Sequence, residues 1–481
     1  MNLRHISLFC VFLMLLDAGS YFYQQYQFPI DGDLSRVVLP SEGCKPVLSD
    51  PLGISVWQTG EGYVSPNRWG CHAMMYGFFR TVPFVFQAFF SPIDSIYLSA
   101  ALLKLLIHLG IVWSLGLYIS KGLGWKMDKL GMAMVLVFPF LQGVGYHGTM
   151  GVVDQAVTYA SFYAFPLMLL MWFFYPLYAW CKDGMKTRWS SFSYGAMILA
   201  ALYLSLSGPL VGPVVIILTA MIFFFFGSKG MKEYAWSFKG FLPSMRNIPK
   251  PFFLILGLFC LFACYSLILG GYNIEGANPS VGLWDRFALL PTGLYKLFTT
   301  KIGLPILLAI SMIYCGWLLR IGNEQDRKKL KNTLIWIGVF TLFFTLLLPF
   351  GGYRVYRPYI IRRDTFAPVL FALFYVYGLS AGMLMMHVKG RGKWILAGLT
   401  VAVFLLFSIS DWQFPSRNTC ERSSLQKMAD ASLIPVPLDE NCPVLGWTTF
   451  HEFGESQVQA ELLHVWGVTD TIKVYHFLPE N

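Results

Sequence analysis

Asp31-Gly32-Asp33 sets two carboxylates on either side of a glycine, a few residues after the first apolar run. Such a pair can hold a hard cation such as Mg or Mn through oxygen ligands, or one member can act as general base toward a hydroxyl group. A solvated acidic turn uses the same residues. Far along the chain, the stretch from Tyr353 to Asp364 carries Arg354, Arg357, Arg362 and Arg363, with Tyr353, Tyr356 and Tyr359 between them. Guanidinium groups bind phosphate in bidentate fashion, and the tyrosines can stack on a sugar or line a lipid groove. Snorkelling accounts for one or two arginines at a membrane edge, but poorly for four so close together. A third group, Gly145 to Gln155, contains His147 and Asp154. Ionisable groups at a membrane boundary are functional suspects, although Asp154 also reads as the cap of a helix starting at Gln155.

The elements that must position these groups are membrane helices. Of 481 residues, 56% are hydrophobic, 17% aromatic and only 13% charged, with a mean hydropathy of +0.55. Apolar runs long enough to cross ~30 Å of hydrocarbon recur throughout. The expected fold is all-α and polytopic, with about eleven spans: 6–24, 95–119, 130–147, 155–179, 190–207, 210–227, 252–270, 303–320, 333–350, 365–386 and 393–410. The organisation read from them is a first transmembrane helix (1–24), an outer loop with an interface helix (25–94), a multi-span membrane domain (95–410) and a C-terminal outer cap (411–481).

Basic clusters at Lys121 to Lys129, Lys182 to Arg188, Lys229 to Lys250, Arg320 to Lys331 and Lys389 to Lys393 place both the N-terminus and those connections in the cytoplasm. The same assignment puts the C-terminus outside, together with the acidic pair, Asp154 and the arginine loop. The net charge of +10 is thus topological and calls for no nucleic-acid partner. The first span reads as an uncleaved anchor, because its start is poorly basic and its exit aromatic. Residues 73–90, interrupted by Pro83 and Arg80, read as a helix lying in the interface rather than a crossing. Four cysteines fall on the outer side, Cys44, Cys71, Cys420 and Cys442. Nearness along the chain pairs Cys44 with Cys71 and Cys420 with Cys442, as two disulfides in an oxidising compartment. In the tail, Gln457–Trp466 reads as helix and Thr471–Phe477 as strand. No Walker or Rossmann glycine motif is present, so no nucleotide cofactor is expected.

The long first outer loop with an early acid, the further acid and histidine in a later outer loop, and the outward arginines together resemble the GT-C superfamily of polyprenyl-phosphate-dependent membrane glycosyltransferases. That resemblance implies a bacterial inner-membrane enzyme, its C-terminus periplasmic, that moves a sugar from a polyprenyl-phosphate-linked donor to an envelope glycan, lipid or protein acceptor. It casts Asp31 or Asp33 as the first-loop base and Asp154 as the second acidic site, with a divalent cation shared among Asp31, Asp33 and Asp154. Arg354, Arg357, Arg362 and Arg363 become the phosphate clamp, with Tyr353, Tyr356 and His147 beside the substrate. The chain departs from the family where Leu34-Ser35-Arg36 follows the acids instead of a further acidic or aromatic-basic pair. Two other readings use the same residues. One is a transporter or flippase of a lipid-linked or anionic solute, the other a non-catalytic envelope assembly component.

Overall fold

In a computed structural model, residues 3–41, 43–142, 148–184, 189–233, 243, 245, 248, 250–275, 281–411, 416–439, 442–452 and 454–478 are described. Among them the chain is nearly all helix, with one pair of three-residue strands. Eight helices are long and apolar enough to cross a membrane: Pro92–Leu123, Val157–Lys182, Val211–Ser228, Lys250–Gly270, Gly303–Ile321, Glu324–Gly351, Arg363–His387 and Arg391–Ile409. The protein is therefore a polytopic helical membrane protein. The other three expected spans take different forms. Leu3–Tyr26 is a helix of 24 residues, and Ser191–Ser205 is an apolar helix of 15. Of the stretch expected at 130–147, the described residues form a helix over Leu130–Val137 and a 3₁₀ turn at Phe138–Phe140, while 143–147 lie outside the described residues.

Three helices form the centre, and their sequences show why. Pro92–Leu123 and Arg363–His387 carry small residues at contact points, including Gly116, Gly378 and Gly382, where an added Cβ would meet side chains of the neighbouring helix. Val157–Lys182 opens with a widened π-helical turn at Ala160–Ala164, every residue of which is buried. Such widened turns are rare and recur at functional sites. The helices' apolar windows are 61%, 72% and 72% buried for Pro92–Leu123, Val157–Lys182 and Arg363–His387, so these three carry the bundle's core.

The first loop folds into short helices, among them Leu34–Val38, Trp69–Phe79 and Val82–Gln87. The expected interface element is thus two helices meeting near Thr81, the second opening on Pro83 at its N-terminus. The tail folds back over this loop. Its helices Thr419–Asp430 and Gln457–Val465 flank a parallel strand pair, Val436–Leu438 with Tyr475–Phe477. Buried Trp466 donates from Nε1 to the Phe79 carbonyl at 3.0 Å, and Gln87 donates to the Trp466 carbonyl at 2.7 Å. Gly32 allows a second contact, with the tail at Gly446 and Trp447: a Cβ there would lie 2.6 Å from the Trp447 nitrogen. The glycine between the two acids therefore has a packing role, letting the tail backbone approach the loop.

Glu421 ties the layers together. Its buried carboxylate accepts from the amides of Ile30 at 2.9 Å and Leu445 at 3.0 Å, and from the Tyr97 hydroxyl at 2.8 Å. Beside it, Arg422 pairs with Asp94 at 2.6 Å.

Of the two expected disulfides, Cys420–Cys442 is present and Cys44–Cys71 is not. Cys71 points into the core, where its fully buried thiol donates to the carbonyls of Ser161, at 3.0 Å, and Ser207. Nearness in sequence misled because the helix at Trp69–Phe79 turns Cys71 away from the loop that holds Cys44. A thiol-reactive label applied to denatured, unreduced protein should therefore modify seven of the nine cysteines. Protection of Cys44 and Cys71 from the label would contradict the structure.

Candidate functional site

The arginine loop begins where Glu324–Leu347 ends in a 3₁₀ turn at Leu348–Gly351, and it closes into the helix Arg363–His387. Four guanidinium groups this close repel one another, so the geometry depends on how they are neutralised. Arg362 forks onto Asp364, Nε at 2.8 Å and Nη2 at 2.6 Å. Arg363 forks onto Asp154, Nε at 3.1 Å and Nη2 at 2.6 Å, and also reaches the Gly148 carbonyl at 3.2 Å. Asp364 is shared, with Arg357 Nε lying 3.9 Å from its Oδ2. Arg357 also donates to the hydroxyls of Tyr163 and, at 3.3 Å, Tyr356. Arg354 finds only the Tyr353 carbonyl, at 3.1 Å, as a hydrogen-bond acceptor among the described residues. The loop is strained at Ile360, a buried β-branched residue held at φ 64°.

The four arginines divide between two cavities. Arg362 and Arg363 line one of about 570 Å³ together with Asp31, Asp154, Tyr159, Arg417, Glu421 and Trp447. Arg354 and Arg357 line another of about 480 Å³, with Arg68, Asn67, Asn273 and Thr365 as its other polar residues and apolar walls from Leu210, Ile216 and Phe344. Both volumes suit small-molecule sites. Among the described residues no Asp or Glu lines the second cavity, and of its three arginines only Arg357 has a carboxylate within ion-pair distance, the Asp364 it shares with Arg362. Arg68 makes no side-chain hydrogen bond among the described residues, and its Nε is buried without a partner. The guanidinium lies over the Phe162 ring, 5.4 Å from the centroid. Asp364 forms the border, since its two arginine partners face different cavities.

Asp31 sits at the floor of the first cavity, only 5% exposed. Its Oδ1 accepts from the Thr158 hydroxyl at 2.6 Å and its Oδ2 from the Thr158 amide at 3.1 Å. Burial pushes its carboxyl up to about 6 in spite of these bonds. Asp33 points elsewhere. Its Oδ1 accepts from Trp447 Nε1 at 3.0 Å, and burial raises its carboxyl as well. Glu421, which sequence reasoning passed over, is pushed up to about 7 by burial. Lys104 comes in from beneath: its buried ammonium donates to the Gln155 carbonyl at 2.8 Å and lies over Phe28. His108, one turn away, packs between the rings of Tyr21 and Phe138.

Several expectations change at this point. Asp31, Asp154, Arg362 and Arg363 meet in one cavity, where Arg362 and Arg363 are each forked onto a carboxylate. Arg68 lies with Arg354 and Arg357 in the other cavity. The shared cation site is not supported by the ligand geometry. Asp154 is bound by Arg363 and by the Ala156 amide at 3.0 Å, and Asp33 by Trp447. No cluster of three or more metal-ligating side chains occurs among the described residues. Tyr356 lies between Arg357 and Arg362, 5.1 and 5.6 Å from their guanidinium carbons, as a cation–π spacer. Tyr353 contributes its carbonyl. His147 falls outside the described residues. Arg68, Asn273 and Trp447 carry no local signal; they become partners only because the first loop, the 271–275 segment and the tail converge.

Fold and site together define a helical membrane protein with a cationic cavity beside a buried carboxylate. No family model matches the chain, and a search of the curated proteins finds no match.

The Asp154–Arg363 pair is largely buried, with side chains 11% and 26% exposed. Replacing one partner leaves a charge without its counter-ion, which typically costs about 3 kcal/mol. Asp154→Asn should lower the thermal midpoint clearly, whereas Asp154→Leu with Arg363→Met should recover much of the loss. Equal losses in the single and double variants would refute the coupling.

Proposed function

We propose that the protein is a membrane glycosyltransferase of GT-C type. It moves a sugar from a polyprenyl-phosphate-linked donor to an envelope glycan, lipid or protein acceptor on the outer face. The observation that carries this reading is the adjacency of the two cavities across Asp364. One is cationic, partly apolar and free of lining carboxylates, which suits a lipid-linked phosphate. The other holds a buried acid near neutrality, which suits a base. In this reading the bundle crosses the bacterial inner membrane eleven times, N-terminus cytoplasmic and C-terminus periplasmic.

Arg68, Arg354 and Arg357 hold the donor phosphate, and the adjoining apolar walls take the first part of its lipid. The acceptor hydroxyl reaches Asp31, whose orientation is fixed by both Thr158 bonds. Asp31 takes the hydroxyl proton as the acceptor oxygen bonds to the anomeric carbon. The bond from that carbon to the phosphate oxygen breaks, its electron pair passing to the phosphate. The three arginines stabilise the charge gathering there. Arg362 and Arg363, already paired, keep Asp364 and Asp154 in place. Asp33 positions Trp447 rather than reacting. No step is routed through a cation, because the carboxylates are held apart by other partners.

A base must be ionised to act. With its carboxyl near 6, Asp31 is protonated below that value and becomes active above it. The rate of sugar transfer from polyprenyl-phosphate-linked donor by purified protein should therefore rise with pH through about 6 and then level off. Asp31→Asn should abolish transfer at unchanged protein level, and Asp33→Asn should retain most of it. Arg354→Gln should raise the donor KM well above its effect on the acceptor KM. Full transfer by Asp31→Asn would defeat this reading and favour transport or envelope assembly.

A further inference from the structure

A third cavity lies at the other end of the same helices. It occupies about 710 Å³ between Pro92–Leu123, Val157–Lys182, Val211–Glu233, Glu324–Leu347 and Arg363–His387. Its walls are apolar, with Phe174, Leu218, Phe225, Phe340 and Ala372 among them. At one end it meets Lys182, the last residue of its helix, and Lys328 and Lys329 in the first turns of theirs. Those helix ends are opposite the arginine loop, which follows the C-terminus of Glu324–Leu347.

We propose that this groove binds a phospholipid of net negative charge, with the phosphate at Lys182, Lys328 and Lys329 and the acyl chains between the helices. Membrane topology by itself explains lysines at this end, but not an apolar groove that opens between them. No acid among the described residues lines it. Of the acids near this end, Asp183 pairs with Lys121 at 2.6 Å, and Asp326 lies 3.3 Å from His387 and also acts on Lys329; Glu324 sits one turn before Lys328 and does not line the groove. Lys329 donates to the Gly122 carbonyl, while exposed Lys328 has no ion-pair partner among the described residues. Glu324–Gly351 is the least buried of the eight candidate spans, with 17% of its apolar window buried, so much of its surface meets hydrocarbon in a bilayer. In a bilayer a water-soluble anion gains nothing from such walls, whereas a lipid gains both contacts. The site is separate from the proposed transfer reaction and does not rest on it.

The test uses the full chain in phosphatidylcholine nanodiscs, with phosphatidylglycerol titrated in and retention read by native mass spectrometry. The wild type should retain phosphatidylglycerol in preference to phosphatidylcholine, and inorganic phosphate should not displace it. Each basic group near the surface is worth about fivefold. Lys328→Gln, at an exposed side chain that leaves the packing alone, should weaken retention by about that factor. Lys182→Glu with Lys328→Glu should weaken it by at least about tenfold. Ala372→Trp, which fills the groove and leaves the lysines intact, should also remove binding. Wild-type retention in the double variant, displacement by inorganic phosphate, or indifference to Ala372→Trp would each overturn the assignment.

Discussion

Charge pairing at the edge of the helix bundle is the constraint on which the site depends. The arginine loop brings four guanidinium groups together, and among the described residues two carboxylates, Asp154 and Asp364, meet them within ion-pair distance. Desolvated charges persist only when paired and hydrogen-bonded. The two that are fully paired, Arg362 and Arg363, hold the loop to the helix Arg363–His387 and to the segment before Val157–Lys182. The remaining two face a cavity with no acid in its lining, where Arg68 adds a third positive charge. Among the described residues Arg68 and Arg354 have no carboxylate partner, and Arg357 only shares Asp364 with Arg362.

The rest of the structure serves that arrangement. The widened turn at Ala160–Ala164 sets Tyr163 against Arg357, while Tyr159 one turn earlier lies 4.8 Å from the Arg362 guanidinium carbon. The hydroxyl and amide of Thr158, at the start of the same helix, orient Asp31. The tail covers the first loop through Trp447, Trp466 and Glu421, and Gly32 allows the approach. One helix start therefore links the base to the anion cavity, and the tail closes the side on which the base sits.

Much of this was legible in the sequence because it rests on local pattern. Apolar runs and short basic connections gave the helices and the grouping of the acids with the arginines at one end. Cys420 and Cys442 can be paired by nearness because Cys420 sits on the helix Thr419–Asp430 and the chain returns past it to Cys442. The same rule failed for Cys44 and Cys71, where a helix carries one thiol into the core. The division of labour among the arginines was hidden. Asp364 ends the stretch that begins at Tyr353, yet nothing local says that it serves two arginines facing different cavities. Arg68 was missed because it lies hundreds of residues from the loop it joins. The amphipathic helix Leu283–Thr299 lies between the expected spans, and its Gly293 packs against the Tyr359 backbone beside the arginine loop.

The central claim is that Arg68, Arg354 and Arg357 form a site for a lipid-linked phosphate next to Asp31. The most direct measurement is the affinity of the purified protein for polyprenyl phosphate, compared among wild type, Arg68→Gln and Asp31→Asn. Arg68 donates to no protein group among the described residues, so replacing it tests the anion site with little cost to the fold. Loss of a charge-assisted contact to phosphate should weaken binding by about tenfold or more in Arg68→Gln, while Asp31→Asn binds as the wild type does. Equal affinity in wild type and Arg68→Gln would contradict the account.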